Sequence, residues 1–362
     1  MTTITIIGGG IAGLALASSL DPSRFDVTVV EQRDRLPVTG TSLAIWPEAR
    51  AVLEQIGVFA DLQARSPAID HFPMRSASGV LWADMPTPAA ALVARHDLLG
   101  ALDAAVPASV HRTFAHVDRL DEPDPHGDAI VVGADGVHSA VRRAGWNGRA
   151  DAAPTPYLAV RGVIADPASS DVMGEYWGRG RLYGVGPHRE GTNWYASFRS
   201  DLGPRNVDVA EALDAARSVR PPEIAPALGA VLDAATVETT LAQRIMVAPR
   251  LRSYVSGRLV LVGDAAHAMT PNLGRGACEA LVDAVTLARH LNALPPTAAL
   301  AAYDRERVRS TRRLQAASAL LMRAALAERT QPMRDRVIGI ATARARRDRT
   351  PQTHAGAPTR AR

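Results

Sequence analysis

The 362-residue chain contains no lysine; all 41 of its basic residues are arginine. That absence excludes chemistry needing an amine side chain, namely a Schiff base, a Walker-A phosphate lysine or a lysine general base. Cys278 is the one cysteine, so neither a disulfide within the chain nor a thiolate zinc site is available. No metal site is expected, and a reducing cytoplasm is the natural home. Aromatic residues make up only 4%, and no stretch interleaves them with basic residues as single-strand nucleic-acid platforms do. The formal charge of +4 is small for this length, and much of it lies in the closing RARRDRTPQTHAGAPTRAR, so nucleic acid is not an expected partner. Long charge-free apolar runs are missing too, and no membrane span is expected. What is present, 47% hydrophobic and 22% charged residues, is ordinary globular composition, long enough for two or three domain-sized units.

The most apolar stretch comes early: residues 3–20 read TITIIGGGIAGLALASSL. An export signal carries basic residues ahead of its apolar run, and Met1, Thr2 and Thr3 supply none; three glycines also interrupt the segment. Read as strand, turn and helix, Ile4–Ile7 is a short buried strand and Gly8-x-Gly10-x-x-Gly13 turns into a helix reaching about Leu20. A second strand, FDVTVVE, ends in Glu31, 18 residues beyond Gly13. That order is the βαβ dinucleotide fingerprint. Gly8 permits the tight turn, Gly10 lets backbone approach a pyrophosphate, and Gly13 lets helix and strand pack closely. The helix start, including Ile11 and Ala12, offers amides to the phosphates. Glu31 suits a free ribose 2′-hydroxyl, as in NAD or the adenosine half of FAD. A glycine-rich turn without a ligand is the alternative.

A second ligand-crevice pattern lies far downstream in GRLVLVGDAAHAMTPNLGRGACEALVDAVTLARHL, residues 257–291. Leu259–Val262 reads as a buried strand, Gly263-Asp264 leaves its carboxyl end, and TPNLGRGA feeds a helix from about Gly276 to Leu291. An acid where a parallel strand stops, beside a glycine-opened helix, marks a crevice in such folds, although Asp264 alone equally suits a turn cap. This segment resembles the GD fingerprint of the group A flavin-dependent aromatic hydroxylases, the family of p-hydroxybenzoate hydroxylase. VVGADGVHSAVRRA resembles the family's DG motif, with Asp135, Gly136, Ser139 and Arg142 in the matching places. ARHDLLGAL supplies Arg95, which the family lays along the cofactor, and GTSLAIWPEARAVLEQIGV looks like its segment under the flavin ring.

The resemblance spans most of residues 4–325. It implies non-covalent FAD, NAD(P)H as a transient co-substrate, and O2, with oxygen transferred through a flavin C4a-hydroperoxide to an aromatic or polycyclic small molecule, a step suited to antibiotic or other natural-product biosynthesis. On it, Asp264 accepts from the ribityl hydroxyls, and Arg33 and Ser42 join the cofactor contacts. Backbone amides of Gly274, Arg275, Gly276 and Ala277 lie against the negative charge of reduced flavin. Pro271 and Asn272 help form the oxygen-side wall; Pro271 and Arg275 are the candidates for a catalytic part. Arg275 departs from the family, where glutamine is expected. A cation there opposes the helix dipole and calls for a compensating anion; it either stabilises anionic reduced flavin or faces solvent. The lack of lysine argues against the related halogenases. An FAD-dependent reductase of the geranylgeranyl type and a non-catalytic flavin-binding protein are the alternatives. No second glycine fingerprint marks a separate nicotinamide domain, which leaves NADH against NADPH open.

The expected fold is α/β: a Rossmann-like FAD-binding domain with a βαβ unit, a mostly antiparallel substrate-domain sheet, and C-terminal helices. Residues 1–70, 95–150 and 250–295 form the discontinuous FAD unit, and 71–94 and 151–249 the substrate unit. Residues 296–345 are helical and 346–362 a disordered tail; the whole is a monomer or homodimer. The alternating stretches YLAVRGVIA, VMGEYWGRGRLYGVGP and TNWYASFRS supply the second sheet. Trp177, Tyr183, Trp194, Tyr195 and Phe198 either line an aromatic pocket or fill the core beneath it. Arg161, Trp177, His188 and Tyr195 are the substrate-contact candidates, His267 reads as a structural hydrogen-bonder, and no residue stands out as a general base. The segment Ser109–Ile130 is shorter than the family has before its DG motif, so a strand pair is expected to be missing there.

Overall fold

A computed structural model describes residues 1–36, 41–120, 129–146, 150–203, 206–219 and 222–349. In chain order the strands are β1 (Thr2–Ile7), β2 (Phe25–Glu31), β3 (Ser42–Ile45), β4 (Ala68–Ser76), β5 (Leu81–Ala94), β6 (His111–Phe114), β7 (Ile130–Gly133), β8 (Ala153–Ile164), β9 (Gly174–Trp177), β10 (Arg181–His188), β11 (Gly191–Arg199), β12 (Thr240–Val247), β13 (Val255–Ser256) and β14 (Leu259–Leu261). The α-helices are α1 (Ile11–Ser19), α2 (Pro47–Ile56), α3 (Phe59–Arg65), α4 (Arg95–Ala105), α5 (Ala140–Gly145), α6 (Val209–Arg217), α7 (Pro226–Ala234), α8 (Asp264–His267), α9 (Gly276–Ala293), α10 (Pro296–Ala325) and α11 (Gln331–Arg349).

The first sheet runs β13-β14-β7-β1-β2-β6, parallel except at β13–β14. Its central strand, TTITII, buries Ile4 and Ile6 fully on one face, with Ile7 almost as buried, and α1 and α9 pack together beside it. Two glycines are obligatory at its end. Gly8 has φ +107°, and a Cβ there would lie 2.4 Å from the Ala134 carbonyl oxygen; a Cβ on Gly13 would lie 1.9 Å from the Gly8 oxygen. These close approaches set α1 directly on the strand end. The described residues between β6 and β7 form no strand; residues 121–128, on which the expectation of a missing strand pair also falls, lie outside the description.

The second sheet runs β12-β8-β11-β10-β9-β4-β5-β3. It is mixed rather than purely antiparallel, since β4 and β9 run parallel and the other neighbours antiparallel. Strand β3, expected within the FAD unit, pairs here with β5 and carries the chain from one sheet to the other. Side-chain alternation gives this sheet two apolar faces. One, with Leu158, Val160, Tyr176, Tyr183, Trp194 and Phe198, is covered by α6 and α7. The other packs Trp82, Trp177, Leu182 and Ile245 on Met322 of α10 at one end and leaves Arg161 and Tyr195 partly exposed along it. Helix α11 continues to Arg349, past the expected start of the tail, and residues 350–362 lie outside the description. Among the described residues no helix is long and apolar enough to cross a membrane.

Candidate flavin site

Parallel pairing of β1 with β7 places the first glycine turn beside Asp135. Asp135 uses one carboxylate oxygen to accept the amides of Ala140 (2.7 Å) and Val141 (3.2 Å) at the start of α5, while its Oδ1 is buried without a partner. At the end of β2, Glu31 accepts the Gly9 amide at 2.7 Å and the Arg33 amide at 3.0 Å. The acid is thereby fixed at the tip of the turn, and Arg33 contributes its backbone. Gly10 is open: a Cβ there would meet nothing within 4 Å, the clearance a pyrophosphate needs.

The downstream acid folds back to the same place. Gly263 (φ +59°) lies so close to α1 that a Cβ on it would sit 3.2 Å from the Ala12 Cβ, and 3.1 Å from that of Ala280 in α9. Asp264 follows with an exposed carboxylate that makes no hydrogen bond among the described residues, 4.0 Å from where a Cβ on Gly276 would be. The chain leaves α8 and winds through a short 3-10 turn, Pro271–Leu273, into Gly274 and α9. Helix-start amides lack acceptors within their helix, which leaves those of Gly276 and Ala277 facing the crevice. Gly274 differs from expectation, because its amide is spent on the Pro271 oxygen at 2.8 Å inside the 3-10 turn.

The segment carrying Ser42 and Trp46 closes over this loop. A Cβ on Gly274 would lie 3.7 Å from the Trp46 indole nitrogen, the Cys278 thiol donates to the Ala44 oxygen at 3.2 Å, and the Ser42 amide donates to Asn193 at 3.1 Å. Burial pushes that thiol up to about 11, so it is inert. Ser42 Oγ, Trp46 Nε1 and both side-chain atoms of Asn272 are buried around the loop without partners. Unsatisfied buried polar atoms cost free energy, and these, with Asp135 Oδ1 beside the first glycine turn, fit a long, polar ligand with donors and acceptors along its length.

Arg275 is neither solvent-facing nor free. Its guanidinium donates to Glu279 at 2.9 Å and Glu48 at 3.1 Å and lies 6.0 Å from the Trp46 ring centroid. Burial opposes its charge, but the two carboxylates outweigh burial and raise its pKa. These are the compensating anions that a cation at a helix start requires. The chain of charges continues inward, as Arg307 bridges Glu279 (2.6 Å) and Asp283 (2.5 Å), and Asp283 meets His267 (2.6 Å) and accepts the Gly263 amide (2.9 Å). Burial disfavours the charged His267, yet Asp283 prevails and raises its pKa. His267 is thus a structural partner. Arg142, also fully buried, donates to the oxygens of Ala265 (2.6 Å) and Ala150 (2.5 Å), riveting the DG segment to α8.

On the open face of the second sheet, Arg161 is partly buried with no hydrogen bond or ion pair among the described residues, and burial, then Arg95, pushes its pKa down to about 10. Tyr195 stands beside it. Trp177 is core, edge-on to Trp82 at 6.4 Å, and Tyr183, Trp194 and Phe198 fill the opposite face. His188 ends β10 near His96, accepts the Glu190 amide at 3.1 Å and keeps Nε2 unpartnered. Sequence reasoning missed Glu175, a buried carboxylate bonded to Trp177 and Tyr195; an acid in an otherwise apolar strand was the available signal.

A family model described as "FAD binding domain" matches residues 129–318, more than half of the chain, and one described as "NAD(P)-binding Rossmann-like domain" matches residues 6–49. The aurachin C monooxygenase/isomerase of Stigmatella aurantiaca is 32% identical over 84% of this chain and 85% of that one. The chain belongs to the FAD-dependent monooxygenases. The monooxygenase is also 28% identical to the 2-heptyl-3-hydroxy-4(1H)-quinolone synthase of Pseudomonas aeruginosa, with 84% and 85% covered. Its fold matches Klebsiella pneumoniae HpxO complexed with FAD and uric acid (TM-score 0.80, 22% identity, 94% and 96% covered). P. aeruginosa PqsL in complex with 2-aminobenzoylacetate also matches (TM-score 0.75, 23% identity, 94% and 99% covered). FAD is therefore its cofactor, with NAD(P)H and O2 as co-substrates, and the reductase and non-catalytic alternatives give way.

Proposed function

We propose that this monooxygenase hydroxylates a bicyclic or larger aromatic small molecule that carries a ring hydroxyl or carbonyl, in natural-product biosynthesis. The observation that carries the reading is Arg161. A partly buried guanidinium without a counter-ion or acceptor is costly to maintain, and a substrate oxygen bearing negative or partial negative charge satisfies it. The name of the quinolone synthase relative describes a ring with such an oxygen. Bound FAD supplies the electron transfer from NAD(P)H and the activation of O2.

The chain's own residues hold and tune that cofactor. Glu31 and Asp135 take the adenosine and ribose end, Gly10 and the start of α1 the pyrophosphate, and Asp264 the ribityl hydroxyls, with Arg95 alongside. Ser42, Trp46, Pro271 and Asn272 wall the ring and keep water from it. The amides of Gly276 and Ala277, at the positive end of α9, favour negative charge on the pyrimidine side. Arg161 and Tyr195 receive the substrate, with His188 at the rim.

The test is NAD(P)H oxidation by the FAD-loaded enzyme across a panel of phenols and 4-quinolones, with mass spectrometry of products. Stimulated oxidation and a product heavier by one oxygen support the reading; its absence across the panel refutes it. Arg161→Gln is expected to raise KM by about tenfold or more, since a hydrogen bond to a charged group contributes about 1.5–3 kcal/mol, with FAD content unchanged.

A further inference from the structure

We propose that Glu175 is the proton acceptor for the substrate's hydroxyl or ring N–H, reached through the hydroxyl of Tyr195. The proposal rests on the reading of this sheet face as the substrate wall, and begins from strand register. Glu175 of β9 pairs with Gly184 of β10, Gly184 with Tyr195 of β11, and Tyr195 with Arg161 of β8. Directly paired residues share a face, so these four form one row across the sheet. Gly184 is the gap in that row. A Cβ on it would fall 1.9 Å from Tyr195 Cζ and 2.4 Å from its hydroxyl oxygen, so the phenol ring lies over β10 in the space the glycine leaves. Its hydroxyl thereby reaches across two strands and donates to Glu175 Oε2 at 2.8 Å, while Trp177 Nε1 donates to Oε1 at 2.6 Å.

Two features separate this carboxylate from a structural one. It is buried with two neutral donors and, among the described residues, no cation within salt-bridge distance. Arg161 lies on the row beyond Tyr195; Arg334 of α11 stands over the Trp177 ring at 5.6 Å and pairs with Asp335; and Arg75 acts on Tyr176 of the opposite face. Burial is the main influence and raises its pKa, with the bonds from Trp177 and Tyr195 opposing, which makes it a stronger proton acceptor than an exposed carboxylate. The second feature is access. Tyr195 and Arg161 are partly open while Glu175 is closed off behind the phenol, so a molecule on Arg161 communicates with Glu175 through Tyr195.

The proton step balances without any electron transfer. The substrate O–H (or N–H) bond breaks as a bond to Tyr195 Oη forms, and the original tyrosine O–H bond breaks as one to Glu175 Oε2 forms. The substrate becomes an anion held by Arg161, its ring enriched in electrons for attack on an electrophilic oxygen, and Glu175 becomes neutral. When product leaves, the proton returns from Glu175 through the Tyr195 hydroxyl to water entering the site, and the carboxylate is restored.

The experiment compares FAD-loaded wild type with Glu175→Gln, which keeps the size and can still accept from Trp177 while donating to the Tyr195 oxygen but cannot take up a proton, and with Tyr195→Phe. The probes are 2-heptyl-4(1H)-quinolone and a series of phenols made progressively more acidic by fluorination, with ionisation of the bound phenol read by absorbance. Wild type is expected to bind the less acidic phenols as anions at a pH where both variants bind them neutral. Hydroxylation kcat/KM should fall about a hundredfold in both variants, the lower end of what a general base contributes, and recover as the phenol is made more acidic. Equal ionisation in all three proteins, or a loss that does not depend on phenol acidity, overturns the proposal and leaves Glu175 a structural acid. Should no probe bind, the function proposed above fails, and the infrared carboxyl band of Glu175 still decides. A carboxylate band at the assay pH that converts to the protonated form above the ordinary carboxylate range, and that shifts in Tyr195→Phe, supports the acceptor role; a band already protonated at the assay pH, or one unchanged in Tyr195→Phe, overturns it.

Discussion

Arg307→Met is the perturbation that most directly tests how the flavin loop is held. Arg307 is 7% exposed and is the cation shared by Glu279 and Asp283. Removing one member of a buried ion network costs about 3–5 kcal/mol, because the carboxylates left behind remain desolvated. With an unfolding entropy of about 2.1 cal/mol/K per residue, a chain of 362 residues changes by about 0.8 kcal/mol per degree, so the melting temperature should drop by roughly 4–6 °C. The damage is also local: Asp283 accepts the Gly263 amide next to Asp264, so FAD release should precede global unfolding. Flavin fluorescence and calorimetry on the same sample separate the two. Burial opposes ionisation of Asp283, but His267 and Arg307 hold its pKa below the usual carboxylate value. Its contribution is therefore present above the unfolded pKa of about 3.9 and lost as pH falls through the depressed folded value; in the variant that acid loss should begin at higher pH. His267 has the opposite sign. Its pKa is raised, so its contribution is complete below about 6.5 and disappears as pH rises through the folded value. Combining Arg307→Met with Glu279→Gln and Asp283→Asn should recover most of the stability. A single variant that melts within about 1 °C of wild type and keeps its flavin would refute the view that this network positions the GD loop.

The half of the molecule built on the glycine turns was legible in the sequence because its geometry depends on backbone. Gly8, Gly13 and Gly263 are required wherever chain approaches chain within a Cβ radius, and such positions are visible as glycines at fixed spacing before any fold is known. Asp264 returned to the first turn as the two fingerprints require, since β14 and β1 both border β7. The sheet face proposed to receive the substrate was less legible because it is made by register, which a single sequence does not display. Nothing in VMGEYWGRGRLYGVGP says that Glu175, Gly184 and Tyr195 share a row, or that Trp177 turns into the core. The same holds for Arg275, whose partners Glu48 and Glu279 lie on two helices; a required anion was inferable and its identity was not. Strand β3 illustrates the remaining difference, since four residues with no special composition cross to the second sheet and join the two units through Ser42 and Asn193.

Two further outcomes follow from the cofactor crevice. Asp264→Ala removes a charged acceptor worth about 1.5–3 kcal/mol, roughly a ten- to hundredfold loss of FAD affinity, so the protein should purify pale; a fully yellow preparation would show that Asp264 holds no flavin. Arg275→Gln tests charge balance at the start of α9. Wild-type Arg275 offsets Glu279 and Glu48, and Glu279 keeps Arg307 in the variant, so the substitution withdraws one positive charge and leaves Glu48 without its partner. The surroundings of the flavin become more negative, anionic reduced flavin is disfavoured, and the two-electron midpoint potential measured by dye-coupled reduction should shift negative. High salt would diminish the shift little, because Arg275 is mostly shielded from solvent and buried charges are weakly screened. An unchanged potential would mean that the two carboxylates confine the guanidinium's field to themselves, and that the helix amides alone set the charge preference of the ring.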